Sequence, residues 1–127
     1  MPAILLVEDD PDVARILLHV LFDEGYSVDS VGTAAEAYMR LSENAYALVI
    51  TDLRLPDGNG ADVADNAAEL GAETAIISGY VHQLTPDTAD RHEVMAKPMR
   101  PVELITTVRR LIGRRDAQPA TTALALR

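Results

Sequence analysis

Glu8 and Asp9 directly follow the apolar run AILLV (3–7), and Asp52 directly follows ALVIT (47–51). Ser78 ends a third such run, TAIIS (74–78), and Lys97 follows a fourth, EVMA (93–96). Three carboxylates brought to one place repel one another unless a cation stands among them. Their oxygens are hard ligands, and a shallow site with room for water suits Mg²⁺ better than a soft transition metal, with Mn²⁺ as a substitute. A hydroxyl and an ammonium beside them complete a site for a phosphoryl group. Cation and ammonium neutralise its equatorial oxygens, the hydroxyl donates to one of them, and a carboxylate attacks phosphorus. Lys97 is the only lysine in the chain; the other ten basic residues are arginine. An ammonium on a flexible stem meets a phosphate as a point charge, whereas a guanidinium is a broad planar fork.

Taken singly, each of these residues has an ordinary reading. An acid at a strand end is usually a helix cap or a solvated loop residue, and Asp10 with Pro11 behind it reads as a helix start favoured by the helix dipole. Ser78 alone would be a turn residue, and Lys97 alone a surface charge. Their order is what matters, because acids, hydroxyl and lysine each follow a different run.

For these residues to meet, the runs must be strands whose carboxyl ends share an edge. AILLV suits a strand buried on both faces and ALVIT another buried strand, TAIIS reads as a further strand and EVMA as a short one, and YSVDSV (26–31) alternates like a half-exposed strand. Helical patterns lie between them. The first opens on Asp10 and Pro11 and stops at Gly25, with Val13, Ile16, Leu17, Val20 and Leu21 on one face. Thr33 and Glu36 form a capping box for a helix to about Glu43. The loop LRLPDGNG precedes a helix from about Ala61 to Leu70, stopped by Gly71. Residues 79–92, with Pro86 inside, leave room only for a short or irregular fourth helix. Pro101 opens the last helix, to about Arg114, with Val102, Ile105, Val108, Leu111 and Ile112 sharing a face. Residues 116–127 lack periodicity and read as a disordered tail, which places the domain at 1–115. The alternation predicts a doubly wound α/β fold: a five-stranded parallel sheet with right-handed crossovers and helices on both faces. Ligands in such folds bind outside the carboxyl ends of the strands.

Composition sets the limits. The chain has 127 residues, 48% of them hydrophobic and 24% charged, enough for one domain with a real core. It has no cysteine, so disulfides, thiol catalysis and thiolate metal sites are excluded. No apolar run approaches membrane-spanning length and no basic stretch precedes an apolar N-terminal core, so the cytoplasm is the expected location, with no membrane contact. The net charge of −9 is uneven: residues 1–96 hold 4 basic and 18 acidic side chains, residues 97–127 hold 7 and 2. Such an acidic body argues against nucleic-acid binding. Arg109, Arg110, Arg114 and Arg115 read as a solvated helix end. His19 reads as exposed, and His82 and His92 lack metal-ligand spacing.

The segments ILLVEDDPDV, LVITDLRLPDGNG, IISGY and AKPM resemble, in order and spacing, the motifs of the receiver domain of bacterial two-component response regulators. The resemblance covers residues 3 to about 114. It implies a flavodoxin-like (βα)5 fold with strand order 2-1-3-4-5. It implies Asp52 as phosphoacceptor, Asp9 as the acid that binds Mg²⁺ directly with Glu8 assisting, and Arg54 as the residue whose backbone carbonyl joins the metal. Ser78 becomes the hydroxyl that bonds the phosphoryl oxygen and moves on activation, Lys97 its cationic contact, and Lys97–Pro98 a cis peptide. The donor would be a sensor or hybrid histidine kinase, or a histidine phosphotransfer protein. The product is a phosphoprotein switch more than an enzyme, since its only catalysis is its own phosphorylation and slow hydrolysis. A single-domain regulator of this kind signals by protein contact, a homodimer included, through the face of the fourth helix, fifth strand and last helix.

Two departures stand out. An aromatic residue usually lies three before the lysine; here it is Val94, and Tyr80 either takes part of that role or simply packs. Ser78 to Lys97 spans 19 positions, fewer than is typical. Other readings are a small Mg²⁺-dependent aspartyl-phosphate phosphatase, a flavin module, and a degenerate receiver that docks without phosphorylation. The phosphatase would want a second Asp at the position of Arg54. The flavin module would want a phosphate-cradling loop where EDDPD stands.

Overall fold

The computed structural model describes residues 3–79 and 84–125. In chain order the elements are β1 (Ala3–Val7), α1 (Pro11–Asp23), β2 (Ser27–Val31), α2 (Ala34–Glu43), β3 (Leu48–Asp52), β4 (Arg54–Leu55), β5 (Gly58–Asn59), α3 (Gly60–Glu69), β6 (Glu73–Ser78), α4 (Pro86–Arg91), β7 (Glu93–Ala96) and α5 (Pro101–Ala125). Five strands pair in parallel in the order β2-β1-β3-β6-β7. This is the expected 2-1-3-4-5 order, with the small antiparallel hairpin β4–β5 inserted after β3.

Successive side chains of a strand face opposite ways, so a strand covered on both sides needs apolar residues throughout. Ile4, Leu6, Leu48, Ile50, Ala75 and Ile77 face one layer, where they meet Leu17 and Leu21 of α1 and Leu104, Val108 and Leu111 of α5. Leu5, Val7 and Val49 face the other, against Ala37 and Leu41 of α2 and Val63 and Ala67 of α3. The sheet is thereby rigid up to the ends of β1, β3 and β6, where the candidate residues sit.

The helix punctuation follows its chemistry. Asp10 accepts from the amides of Asp12 and Val13 at 2.9 and 3.3 Å, with Pro11 in the first turn. Thr33 Oγ1 accepts from Glu36 N at 3.1 Å, while Glu36 Oε1 accepts from Gly32 N at 3.3 Å. α1 and α3 stop alike: Gly25 (φ 90°) and Gly71 (φ 93°) take the left-handed conformation. Tyr26 N reaches back to Leu21 O, and Ala72 N to Ala67 O, closing a Schellman motif in each case.

The structure departs from the sequence pattern in four places. LRLPDGNG is not a plain loop but holds the β4–β5 hairpin. Ile16, expected on the core face of α1, is 62% exposed because none of the described residues covers that rim of the helix. The buried stripe of α5 is Leu104, Val108, Leu111 and Ile112; the bulkier Leu104 sets the register and leaves Val102 58% exposed. Finally, α5 does not end near Arg114 but continues to Ala125, into the stretch 116–127 whose lack of periodicity reads as a tail. The fourth helix, α4, is short as expected, with 6 residues. Tyr80 and His82 lie outside the described residues.

Candidate functional site

Parallel pairing brings the ends of β1, β3, β6 and β7 to one edge. Val7 lies beside Thr51, Asp52 beside Ile77, and Ser78 beside Ala96. Glu8, Asp9 and Asp52 each present a carboxylate oxygen, and these oxygens lie within 4.8 Å of one another. Glu8 is buried, Asp52 partly so, and Asp9 is exposed. The set is graded from protein interior to solvent and open on the Asp9 side. Three hard oxygen donors in this arrangement fit a small divalent cation that keeps some of its water.

Lys97 enters the group from the β7 side. Its Nζ donates to Glu8 Oε1 at 2.7 Å and to Asp52 Oδ2 at 3.1 Å. Its backbone N donates to Ser78 O at 3.0 Å, so the lysine's main chain is held and only its stem is free to reposition. Burial acts to lower the Lys97 pKa, but hydrogen bonds and charge from Glu8 and Asp52 outweigh it and the net shift is upward. Lys97–Pro98 is a cis peptide. Ser78 is buried at the end of β6.

The backbone around Asp52 is tightly fixed. Leu53 N donates to Ile77 O at 3.0 Å, and Gly60 N to Leu53 O at 2.7 Å. Gly60 packs so closely that a Cβ there would stand 1.8 Å from the Asp52 carbonyl oxygen. Asn59 caps α3 by accepting from Ala61 N at 2.7 Å. Arg54, whose carbonyl is the expected fourth metal ligand, lies in the first strand of the hairpin, with its side chain exposed.

A family model described as the response regulator receiver domain matches residues 4–109. The chain belongs to the response regulator receiver domain family. The response regulator receiver protein CpdR of Brucella abortus (strain 2308) is 34% identical over 117 residues, covering 88% of this chain and 98% of that protein. The DNA-binding response regulator MtrA of Mycolicibacterium smegmatis is also 34% identical, but this chain spans only 53% of it. Among solved structures, the response regulator TrrA of Thermotoga maritima, in complex with Mg²⁺-BeF, superposes with a TM-score of 0.80 at 28% identity, covering 87% of this chain and 99% of that one. A CheY-like receiver from Methanospirillum hungatei gives 0.83 at 22% identity, covering 91% and 97% of the two chains.

Within this receiver, Val94 lies in β7 beside Ile76 of β6 and is partly buried. His19 is exposed and sits 3.3 Å from Asp23. His92 is different: its ring is buried, with Nδ1 2.5 Å from Thr74 Oγ1 and Nε2 2.7 Å from Asp65 Oδ1. It links β6 and α3 to the start of β7, a role its sequence position does not reveal. The arginines of α5 are not a bare basic end. Arg109 pairs with Glu24, Arg110 with Glu93 and Arg114 with Glu73. These partners are 17 to 85 residues away in sequence, so only topology brings them together. No helix among the described residues is long and apolar enough to cross a membrane.

Proposed function

We propose that this receiver accepts a phosphoryl group on Asp52 from a phosphohistidine of a sensor or hybrid kinase, or of a histidine phosphotransfer protein. The observation that carries the reading is the carboxylate trio of Glu8, Asp9 and Asp52 with Lys97 Nζ inserted between two of its members. Asp9 and Glu8, with Asp52 and the Arg54 carbonyl, would hold Mg²⁺; Mn²⁺ suits the same oxygens. When bound, the metal neutralises phosphoryl oxygens during transfer. An Asp52 carboxylate oxygen forms the new P–O bond as the P–N bond of the donor breaks, and the imidazole leaves with the bonding electron pair. Lys97 turns its ammonium to the phosphoryl oxygens, and Ser78 donates its hydroxyl to one of them.

The donor side has a surface to fit. Beside Lys97, Val13, Ile16, Leu17, Ile77, Pro98 and Met99 line an apolar groove of about 440 Å³. Ile16, 62% exposed, offers this apolar groove to solvent, which suits the helices of a phosphohistidine-bearing partner. Output would then pass by protein contact, in the cytoplasm, through α4, β7 and α5, and the protein acts as a switch whose only chemistry is on itself. Val94 removes the usual ring from that face, so Ser78 and Lys97 carry the local response. Nothing favours a phosphatase: Arg54 stands where its second acid belongs.

The test is intact mass after incubation with Mg²⁺ and acetyl phosphate, with Asp52→Asn beside it. A Mg²⁺-dependent gain of one phosphoryl group, absent from the variant, is expected. No gain in the wild type, from acetyl phosphate or from a phosphorylated histidine phosphotransfer protein, would overturn the reading in favour of docking without phosphorylation.

A further inference from the structure

The β4–β5 hairpin has only two ladder pairs, Arg54 with Asn59 and Leu55 with Gly58. A ribbon that short does not hold itself in water. Its base is fixed by Leu53, Gly60 and Asn59, as described above. Its tip is fixed from another part of the chain. Asp57 Oδ1 accepts from Ala34 N at 2.7 Å, and Asp57 Oδ2 accepts from Ala35 N at 3.0 Å. One carboxylate thus spans two free amides in the first turn of α2, where the helix dipole also favours its charge. Independent packing agrees with this contact: a Cβ on Gly58 would lie 3.3 Å from Ala34 Cβ, so the hairpin rests directly on the start of α2.

The helix gains little from this cap. α2 already has its own N-cap in Thr33, which accepts from Glu36 N, and the exposed Ala35 amide would otherwise bond water. The hairpin gains more, because a ribbon of two ladder pairs needs outside contacts to hold its tip. α2 follows Gly32, which packs 3.8 Å from Asp9 Cα measured from a Cβ built on it. The Asp57 contact therefore joins the segment carrying Arg54 to the segment lying against Asp9.

We propose that Asp57 is a positioning residue for the metal site: it sets the spacing between the Arg54 carbonyl with Asp52 on one side and Asp9 on the other. The inference rests on the Mg²⁺ reading given above. Isothermal titration of the metal-free protein with MgCl₂ tests it, alongside amide hydrogen exchange. Asp57→Ala should weaken Mg²⁺ binding by about tenfold, the low end for groups that act through a ligand. Asp57→Asn, which keeps one acceptor, should fall between and covers the case in which the alanine variant does not fold. Exchange should quicken at Ala34, Ala35 and residues 54–59 while the sheet stays protected. Unchanged Mg²⁺ affinity in a variant that has lost protection at Ala34 and Ala35 would overturn the proposal and leave Asp57 as a helix cap. A wild type that binds no Mg²⁺ would overturn the metal reading itself, and this inference with it.

Discussion

Replacing Lys97 with methionine keeps most of the stem and removes the charge. At 2.7 and 3.1 Å, with an effective dielectric of about 20, each of the two contacts has a gross attraction of about 5–6 kcal/mol. Most of that is cancelled by desolvation of the ammonium. What remains visible is the cost of leaving the partners behind, about 3–5 kcal/mol when one member of a buried pair is removed. The Lys97 side chain is 28% exposed and Asp52 15%, against 2% for Glu8, so the low end applies and Lys97→Met should lose about 3 kcal/mol. The loss should depend on the metal. Without the ammonium three carboxylates face one another, and a divalent cation has more to gain from binding. At one free Mg²⁺ concentration above both dissociation constants, each tenfold by which the variant binds more tightly returns about 1.4 kcal/mol to its folded state, so the gap between variant and wild type should narrow in Mg²⁺. Urea unfolding with and without Mg²⁺ measures both terms; guanidinium would screen the charges under test. A variant as stable as wild type without metal, or a deficit that Mg²⁺ leaves unaltered, would refute the reasoning.

Gly60→Ala should displace the Asp52 carbonyl, since the added Cβ would stand 1.8 Å from that oxygen. The overpacking should cost about 1–3 kcal/mol, and phosphorylation by acetyl phosphate should slow; an unaltered rate would mean the segment adjusts elsewhere. His92→Leu leaves the buried Thr74 hydroxyl and Asp65 without the ring, and should cost about 1–3 kcal/mol in urea unfolding. Asp65→Asn should cost less, because an amide oxygen still accepts from the ring. Tyr46 sits buried with its hydroxyl donating to Asp29 at 2.7 Å. Burial first, and that hydrogen bond second, push its pKa up to about 12 from 10.0. Because the folded value is the higher one, this contribution is complete below pH 10 and is lost as pH rises towards 12. Tyr46→Phe should flatten that alkaline decline, and an identical slope in both proteins would refute the assignment.

The strand core and the site were legible for the same reason. A strand buried on both faces is uncharged along its covered length, so the first charged residue after such a run marks its end. Glu8, Asp52 and Lys97 each stand at such a point, and parallel topology then collects them on one edge. The hairpin was hidden because Arg54, Leu55, Gly58 and Asn59 have no periodicity, and its support comes from Ala34 and Ala35, 23 and 22 residues from Asp57. His92 was opaque for a similar reason, since neither Thr74 nor Asp65 is a local partner. Ile16 and Val102 fit an apolar stripe by spacing, yet both are exposed. Periodicity records which side chains share a face; whether another element covers that face depends on the assembled fold.

The choice of a single lysine follows from charge counting at the site. Glu8, Asp9 and Asp52 carry three formal negative charges and Lys97 one positive, leaving a deficit of two. One divalent cation removes it, so the pocket is balanced for Mg²⁺ in number as well as in donor chemistry. Phosphorylation then replaces the single charge of Asp52 with a phosphoryl group of about −1.5 to −2 near pH 7, held farther from the backbone, and the group that can move to meet it is the Lys97 ammonium. Its main chain is held by Ser78 O at 3.0 Å, while its stem can carry the charge from Glu8 towards the new oxygens. An arginine would bring the same charge as a planar fork with five fixed donors. Placed between Glu8 and Asp52, it would need more room and could not turn from one partner to another without swinging the whole plane. On this reading Lys97 balances the acidic pocket from within before phosphorylation and compensates the phosphoryl charge afterwards, a dual role that a compact charge on a flexible stem can fill.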